Sequence, residues 1–309
     1  MSKVFPDKLT HDEMRDALLR SGYLIESRLE SKLRKARRRF YVVANHGYPD
    51  PDTGKSRELD LYAMRGTSAG SSDHDYIYSI LLIECVNNPQ PLALITKESQ
   101  FSLYPGSEIK LSGLPVKLMD KGSCFSLPNY LEFHKFHHYH RGRVATQFCS
   151  FRRKKDHQNS EWMALHEDAQ FDCFRKLCAA TDYFREEHFK MKSIYGLKSI
   201  DIQFYYPVLV VAGELLDVRP TKSSVLLAPK QHLRFSQSRF VRGEVEHFEM
   251  DVITESFFPK YLQLVEKELE EIAIRIRRSQ KTVRTAINAI IRATKGLRSP
   301  EKISELLKF

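Results

Sequence analysis

SRELDLYAMR (Ser56–Arg65) and YIYSILLIECVNN (Tyr76–Asn88) decide the fold, and both read as strands. In the first, Leu59, Leu61 and Ala63 recur at every second position, the period of a strand with one face covered. Asp60 sits inside that pattern. In the second, Ile80 to Ile83 form a continuous apolar run that ends in Glu84. The stretch GTSAGSSDHD between them (66–75) has the Gly/Ser content of a turn, so the two strands are expected to form a hairpin. An acid at the end of a buried strand is costly unless it is paired or bound to a cation. Asp60 and Glu84 are therefore expected to converge on one divalent ion. The alternative is that each is a salt-bridging residue served by Arg57 or Lys97.

The chain has 309 residues, 42% hydrophobic and 28% charged, which suits one large or two ordinary globular domains. No apolar run reaches the ~18 residues of a membrane span, and the N-terminal MSKVFPDKLTHDEMRD lacks the apolar core of a signal peptide. The five cysteines are scattered without a CxxC pair, the pattern of free thiols in a reducing cytoplasm. A net charge of +10 points to a polyanion as partner, nucleic acid first and DNA ahead of RNA, because the basic residues are clustered. No phosphate-cradling glycine loop of the GxxxxGK[ST] or GxGxxG kind is present.

Outward from the hairpin, apolar spacing predicts a helix from His11 to about Arg39 with a break at Ser21-Gly22, and a strand at Phe40–Ala44. The loop HGYPDPDTGKS (His46–Ser56) must turn, and a short strand follows at 92–96. A helix is predicted from Trp162 to Met191, strands over 200–218 around Gly213 and over 247–254, and a basic helix over about 257–295, unbroken or in two pieces, whose apolar stripe slips in phase near Ser279. Together these predict a single α/β domain over 1–309. Its core covers about 10–100 and 160–260, and residues 100–160 are an inserted middle.

GYLIESRLESKLRK, the turn YPDPDTGKSRELDLYA and the strand LLIEC together resemble the restriction-endonuclease-like superfamily, the PD-(D/E)xK nucleases. The resemblance covers roughly residues 20–97. It implies a restriction-endonuclease-like mixed central sheet flanked by helices, Mg²⁺-dependent (or Mn²⁺-dependent) hydrolysis of DNA or RNA and a role in defence against foreign nucleic acid. It also implies that Glu26 is the helix acid, Asp60 the strand aspartate and Glu84 the second acid, the three together forming the metal and catalytic set. The chain departs from the pattern where a lysine is expected two positions after Glu84, because that residue is Val86. Three explanations stand. Lys97, or after it Lys55 or Arg57, supplies the cation. A polar neighbour, Asn87 or Gln90, holds the water. Or the site binds nucleic acid without cutting it.

Arg34, Lys35, Arg37 and Arg38 crowd the end of the first helical region, and Arg277, Arg278 and Lys281 lie in the C-terminal one. With Lys55 and Arg57 these are the expected phosphate contacts. The alternative for any one of them is a solvated helix end. The C-terminal helix is alternatively a docking face for a partner protein, and a homodimer is also open. His134, His137, His138 and His140 suggest metal spacing, with Cys124 and Cys149 flanking, but structural zinc normally wants two tight ligand pairs. Aromatic packing with a polar edge is the favoured reading of this cluster.

Overall fold

The computed structural model describes residues 8–308 apart from 22, 37–38, 52, 88–89, 99–108, 121, 141, 156–159, 167, 196, 242–243, 296 and 298. The chain enters through helix α1 (His11–Arg20). Thr10 and Glu13 cap it reciprocally: the Thr10 hydroxyl accepts the Glu13 N–H at 3.2 Å, and the Glu13 carboxylate accepts the Thr10 N–H at 2.8 Å. Helix α2 (Tyr23–Lys35) follows the predicted break and buries Ile25, Leu29 and Leu33, one residue per turn along one face.

Three antiparallel strands come next, β1 (Tyr41–Pro49), β2 (Ser56–Ser68) and β3 (Tyr76–Val86). β1 runs on through His46–Pro49, which composition had assigned to a loop, and the turn is confined to the residues after it. Strands β4 (Leu92–Glu98) and β5 (Leu111–Leu114), the hairpin β6 (Lys117–Asp120) and β7 (Ser123–Ser126), the one-turn helix α3 (Leu127–Tyr130) and two 3₁₀ turns at Phe133–Lys135 and His138–His140 lead into β8 (Arg143–Lys155). β9 (Ser160–Leu165) pairs with β8, so Trp162 lies in a strand rather than at the start of the next helix. That helix is α4 (Asp168–Tyr195). β10 (Asp201–Val211), β11 (Leu215–Pro220), β12 (Val225–Lys230), β13 (His232–Val241) and β14 (Glu244–Thr254) complete the sheet, and α5 (Phe258–Arg278), α6 (Gln280–Thr294) and α7 (Pro300–Lys308) close the chain. The C-terminal helix is thus two helices. They part at Ser279, where the apolar stripe slips.

The main sheet runs β1-β2-β3-β10-β14-β13-β8-β4-β11-β12, with β5 on β10 and β9 on β8. β10 is parallel to both β3 and β14. The middle region is therefore not set apart from the sheet, because β8 lies between β13 and β4 within it. The order also dictates a curl. Residues 87–91 and 212–214 are all that separate β3 from β4 and β10 from β11, yet β4 and β11 lie at the far end of the strand order. Connectors that short reach only ~18 Å, so the far end must fold back to the tips of β3 and β10. Ala212 N–H donates to Val86 O at 3.0 Å and Leu92 N–H to Glu214 O at 2.9 Å, carrying the ladder round the corner.

The sheet separates two cores. On one face α2, α5 and α6 cover Ala63, Leu81, Ile83, Val208 and Val210 with residues such as Leu29, Val265, Ile272 and Ile287. On the other, α4 places Phe174, Leu177 and Cys178 against Leu82, Leu92, Phe148, Phe235 and Met250. Each fully buried Leu, Ile or Phe contributes roughly 1.5–3 kcal/mol, so both helix layers are firmly seated. No helix among the described residues is long and apolar enough to cross a membrane, and the five cysteines are free thiols.

Candidate metal and nucleic-acid site

Leu61 pairs with Ile83 across the β2–β3 ladder, which brings Asp60 and Glu84 to the same level. Asp60 lies where β2 twists, since Leu59 packs in the α4 core and Leu61 in the opposite one. Its Oδ2 accepts the backbone N–H of Cys85 at 2.7 Å, which fixes the carboxylate against the tip of β3. Glu84 is buried, 1% exposed, on the face that α4 covers. Its Oε2 accepts from Lys176 Nζ at 3.3 Å, and its Oε1 has no hydrogen-bond partner among the described residues. Tyr48 Oη donates to the Lys176 carbonyl oxygen at 2.9 Å, tying α4 to β1 at this turn of the helix.

The electrostatics are those of crowded acids. Burial, then the neighbouring Asp60 charge, pushes the Glu84 carboxyl up to about 8. Burial raises Asp60 as well. Glu26, on α2, is raised by burial and then by Asp60 and Glu58, so it belongs to the same negative neighbourhood. Burial works against the Lys176 ammonium, but Glu84, Cys173 and Asp60 together outweigh it and leave that group above its ordinary value. The arrangement thus sets several carboxylates against the ammonium of Lys176.

Asp60 and Glu84 are the acids here that could hold a hard divalent cation, an ion of the kind that takes one or two carboxylates and keeps several waters. The buried, unpartnered Oε1 of Glu84 is the observation behind that fit. Glu26, Asp60 and Glu84 do not bring three ligand atoms all within 4.8 Å of one another.

The predicted cation is elsewhere. Lys97 is exposed near the end of β4, in a hollow lined by Thr96, Glu98, Arg143 and Thr146. Lys55 is exposed in the turn before β2. Arg57 is half-buried at the rim of the site, paired with Asp50 and, at 3.4 Å, with Asp172 of α4. Val86 packs into the α4-side core, and Asn87 Nδ2 donates to Ser21 O at 3.1 Å. The lysine that meets Glu84 is Lys176, which sequence reasoning missed. No local signal marks it, since it sits beside the buried stripe of α4 and reaches Glu84 across 92 residues of chain.

The expected phosphate contacts divide. Lys35, Arg278 and Lys281 are exposed. Arg34 is engaged by Glu30 at 2.7 Å, and Arg277 donates to Ser68 O at 2.7 Å while remaining exposed. Arg37 and Arg38 lie outside the described residues.

The histidine segment has a different partner set from the one its spacing suggested. His137 is buried and stacked with Phe133 and Tyr206, the aromatic packing expected of the cluster, and burial pushes its imidazole down to about 3. His138 instead faces acids from remote elements, Asp251 of β14 and Glu268 of α5. His134 is exposed, and neither Cys124 nor Cys149 joins the group.

No family model matches the chain, and no curated protein and no solved structure matches it.

Proposed function

We propose that this protein is a metal-dependent phosphodiesterase acting on nucleic acid, DNA before RNA, on a restriction-endonuclease-like core. The observation that carries this reading is Lys176, whose ammonium sits on Glu84 and replaces the cation that Val86 cannot supply. The order of acids along the chain, Glu26 on α2, Asp60 on β2 and Glu84 on β3, agrees with the resemblance drawn from sequence.

Asp60 and Glu84 would hold Mg²⁺ or Mn²⁺, and Glu26 would add negative potential to the same neighbourhood. The ion supplies charge neutralisation for in-line displacement at phosphorus. Cys85 N–H holds Asp60 in register with Glu84. Lys176 orients Glu84 and offers a positive charge where the phosphoryl group gains negative charge, a contribution of electrostatic preorganisation. Lys35, Arg278 and Lys281 neutralise the phosphate backbone. A role in defence against foreign nucleic acid follows from the same resemblance.

The test is cleavage of plasmid, linear, single-stranded and RNA substrates with Mg²⁺ or Mn²⁺, against an EDTA control. Products appear only with metal and disappear in Asp60→Asn and Lys176→Met. Full activity of either variant removes the assignment.

One observation favours a second reading. The Glu84–Lys176 pair offsets part of the buried charge without an ion, as a nucleic-acid-binding module derived from such a site would need. Salt-sensitive binding without turnover in Mg²⁺, Mn²⁺ or Co²⁺ decides for that module.

A further inference from the structure

On the opposite face of the sheet from Glu84, four elements bring a second set of ligating groups together. Asp251 of β14 is level with Val208 and Ile83, both in the core under α5. Its Oδ1 lies 2.7 Å from Nε2 of His232, the first residue of β13. Its Oδ2 lies 3.0 Å from Nε2 of His138 and accepts the Tyr261 hydroxyl at 2.6 Å. The other ring nitrogen of His138, Nδ1, lies 2.9 Å from Glu268 Oε1. Tyr261 and Glu268 are seven residues apart on α5, two turns along one face, so a single helix presents both.

We propose that His138, His232 and Asp251 form a second metal site, for a zinc-like divalent transition ion, whose open position takes a phosphate-type oxyanion.

Three observations carry it. The donor set is two imidazoles and one carboxylate, which suits zinc-class ions and not Mg²⁺. Ligand atoms around a tetrahedral ion at about 2.0–2.1 Å stand about 3.3 Å apart. Asp251 Oδ1 lies 2.7 Å from His232 Nε2 and 3.1 Å from His138 Nε2, so these separations need to open by only a few tenths of an ångström. The outer contacts are those of a built site: Glu268 takes the distal nitrogen of His138 and Tyr261 takes the second oxygen of Asp251, which fixes tautomer and ring orientation. Charge points the same way. Asp251 and Glu268 carry two carboxylates into the interior, 0% and 4% exposed, and a divalent ion on His138 offsets both.

The ligand class follows from what the site opens on. His138 and His232 line a hollow of about 340 Å³ together with Arg143, Arg219, Lys230 and Arg234. Among the described residues Asp217 is the one carboxylate in that lining, and Arg219 pairs with it at 2.6 Å. An anion in the hollow would meet the ion on one side and guanidinium or ammonium groups on the other.

The test uses full-length protein stripped with EDTA and titrated with Zn²⁺, with bound metal counted by mass spectrometry and affinity read by calorimetry. Wild type and Asp60→Asn each take up one zinc per chain. His232→Gln, chosen because its ring is partly exposed, loses zinc affinity by more than the about 10–100-fold that altering an outer partner costs, with an unchanged circular dichroism spectrum. Equal zinc affinity in His232→Gln, or no stoichiometric zinc in wild type, overturns the site. Inorganic phosphate is the ligand probe. It raises the melting temperature of the zinc-loaded protein, and Arg219→Gln/Lys230→Gln abolishes that rise. A rise of the same size without zinc, or none with it, overturns the oxyanion assignment.

Discussion

Lys176 Nζ lies 3.3 Å from Glu84 Oε2, although 92 residues of chain separate them. α4 delivers this lysine from the face of the sheet it covers, at the level of the β3 acid that stands two positions before Val86. A cation placed this way is tied to a helix that also fills the core. Its position is therefore set by Phe174 and Leu177 as firmly as a strand would set it.

Lys176→Met is expected to lower metal-dependent cleavage by about 10²–10³-fold, the loss typical of removing one preorganised electrostatic partner. Lys97→Met leaves the rate unchanged. Steady-state cleavage of one plasmid substrate by the two variants decides between the lysines, and equal losses would return Lys97 to the site.

The folded-state pKa of Glu84 is raised from 4.5 to about 8, so the folded protein holds a proton that the unfolded chain releases. Stability from this group is therefore fully present below pH 4.5 and is lost as pH rises through about 8. Melting temperature measured in EDTA across that window falls for wild type and falls less for Glu84→Gln. Mg²⁺ binding strengthens over the same window, because the ion needs the ionised carboxylate. An identical pH profile for the two proteins would contradict the buried-acid assignment.

Arg278→Ala/Lys281→Ala is expected to weaken DNA binding without changing the melting temperature, and to reduce the salt dependence of log K by about 1 for each phosphate that is no longer neutralised. Arg284→Ala behaves in the opposite way. Arg284 pairs with Asp75, which is 0% exposed, and donates to Lys198 O at 3.0 Å. Its removal is expected to destabilise the fold by about 1–3 kcal/mol and to leave the salt slope intact. Fluorescence anisotropy titrations in two salt concentrations, beside thermal melts, separate the roles.

Gly113 has φ +106°, and a Cβ there would collide with the Asp201 carbonyl oxygen. Gly113→Ala is therefore expected to part β5 from β10 and to destabilise the protein by more than about 1 kcal/mol. A melting temperature equal to wild type would show that β5 contributes nothing to the sheet.

The meander was legible because its signals are local. Alternation around Leu61, the apolar run Ile80–Ile83 and the turn between them fixed β2, β3 and the Asp60–Glu84 level before any tertiary contact was needed. The break at Ser21-Gly22 and the phase slip at Ser279 read correctly for the same reason. What was missed is nonlocal. β8 carries the basic run SFRRKK, which hides a strand that inserts between β13 and β4. Lys176 has no neighbour in sequence that marks it as a site residue. His138 acquires Asp251 and Glu268 only after β14 and α5 have packed, so its pattern with His134 and His140 misdirected the reading.

The two sides of the Asp60–Glu84 site differ in the time at which they can form. β2 and β3 join through a short turn, whereas α4 must close a loop of 92 residues to bring Lys176 to Glu84. Long closures cost more entropy and are completed later. During folding the two acids are therefore expected to meet before their lysine arrives, so the acid pair passes through a stage in which no ammonium offsets it.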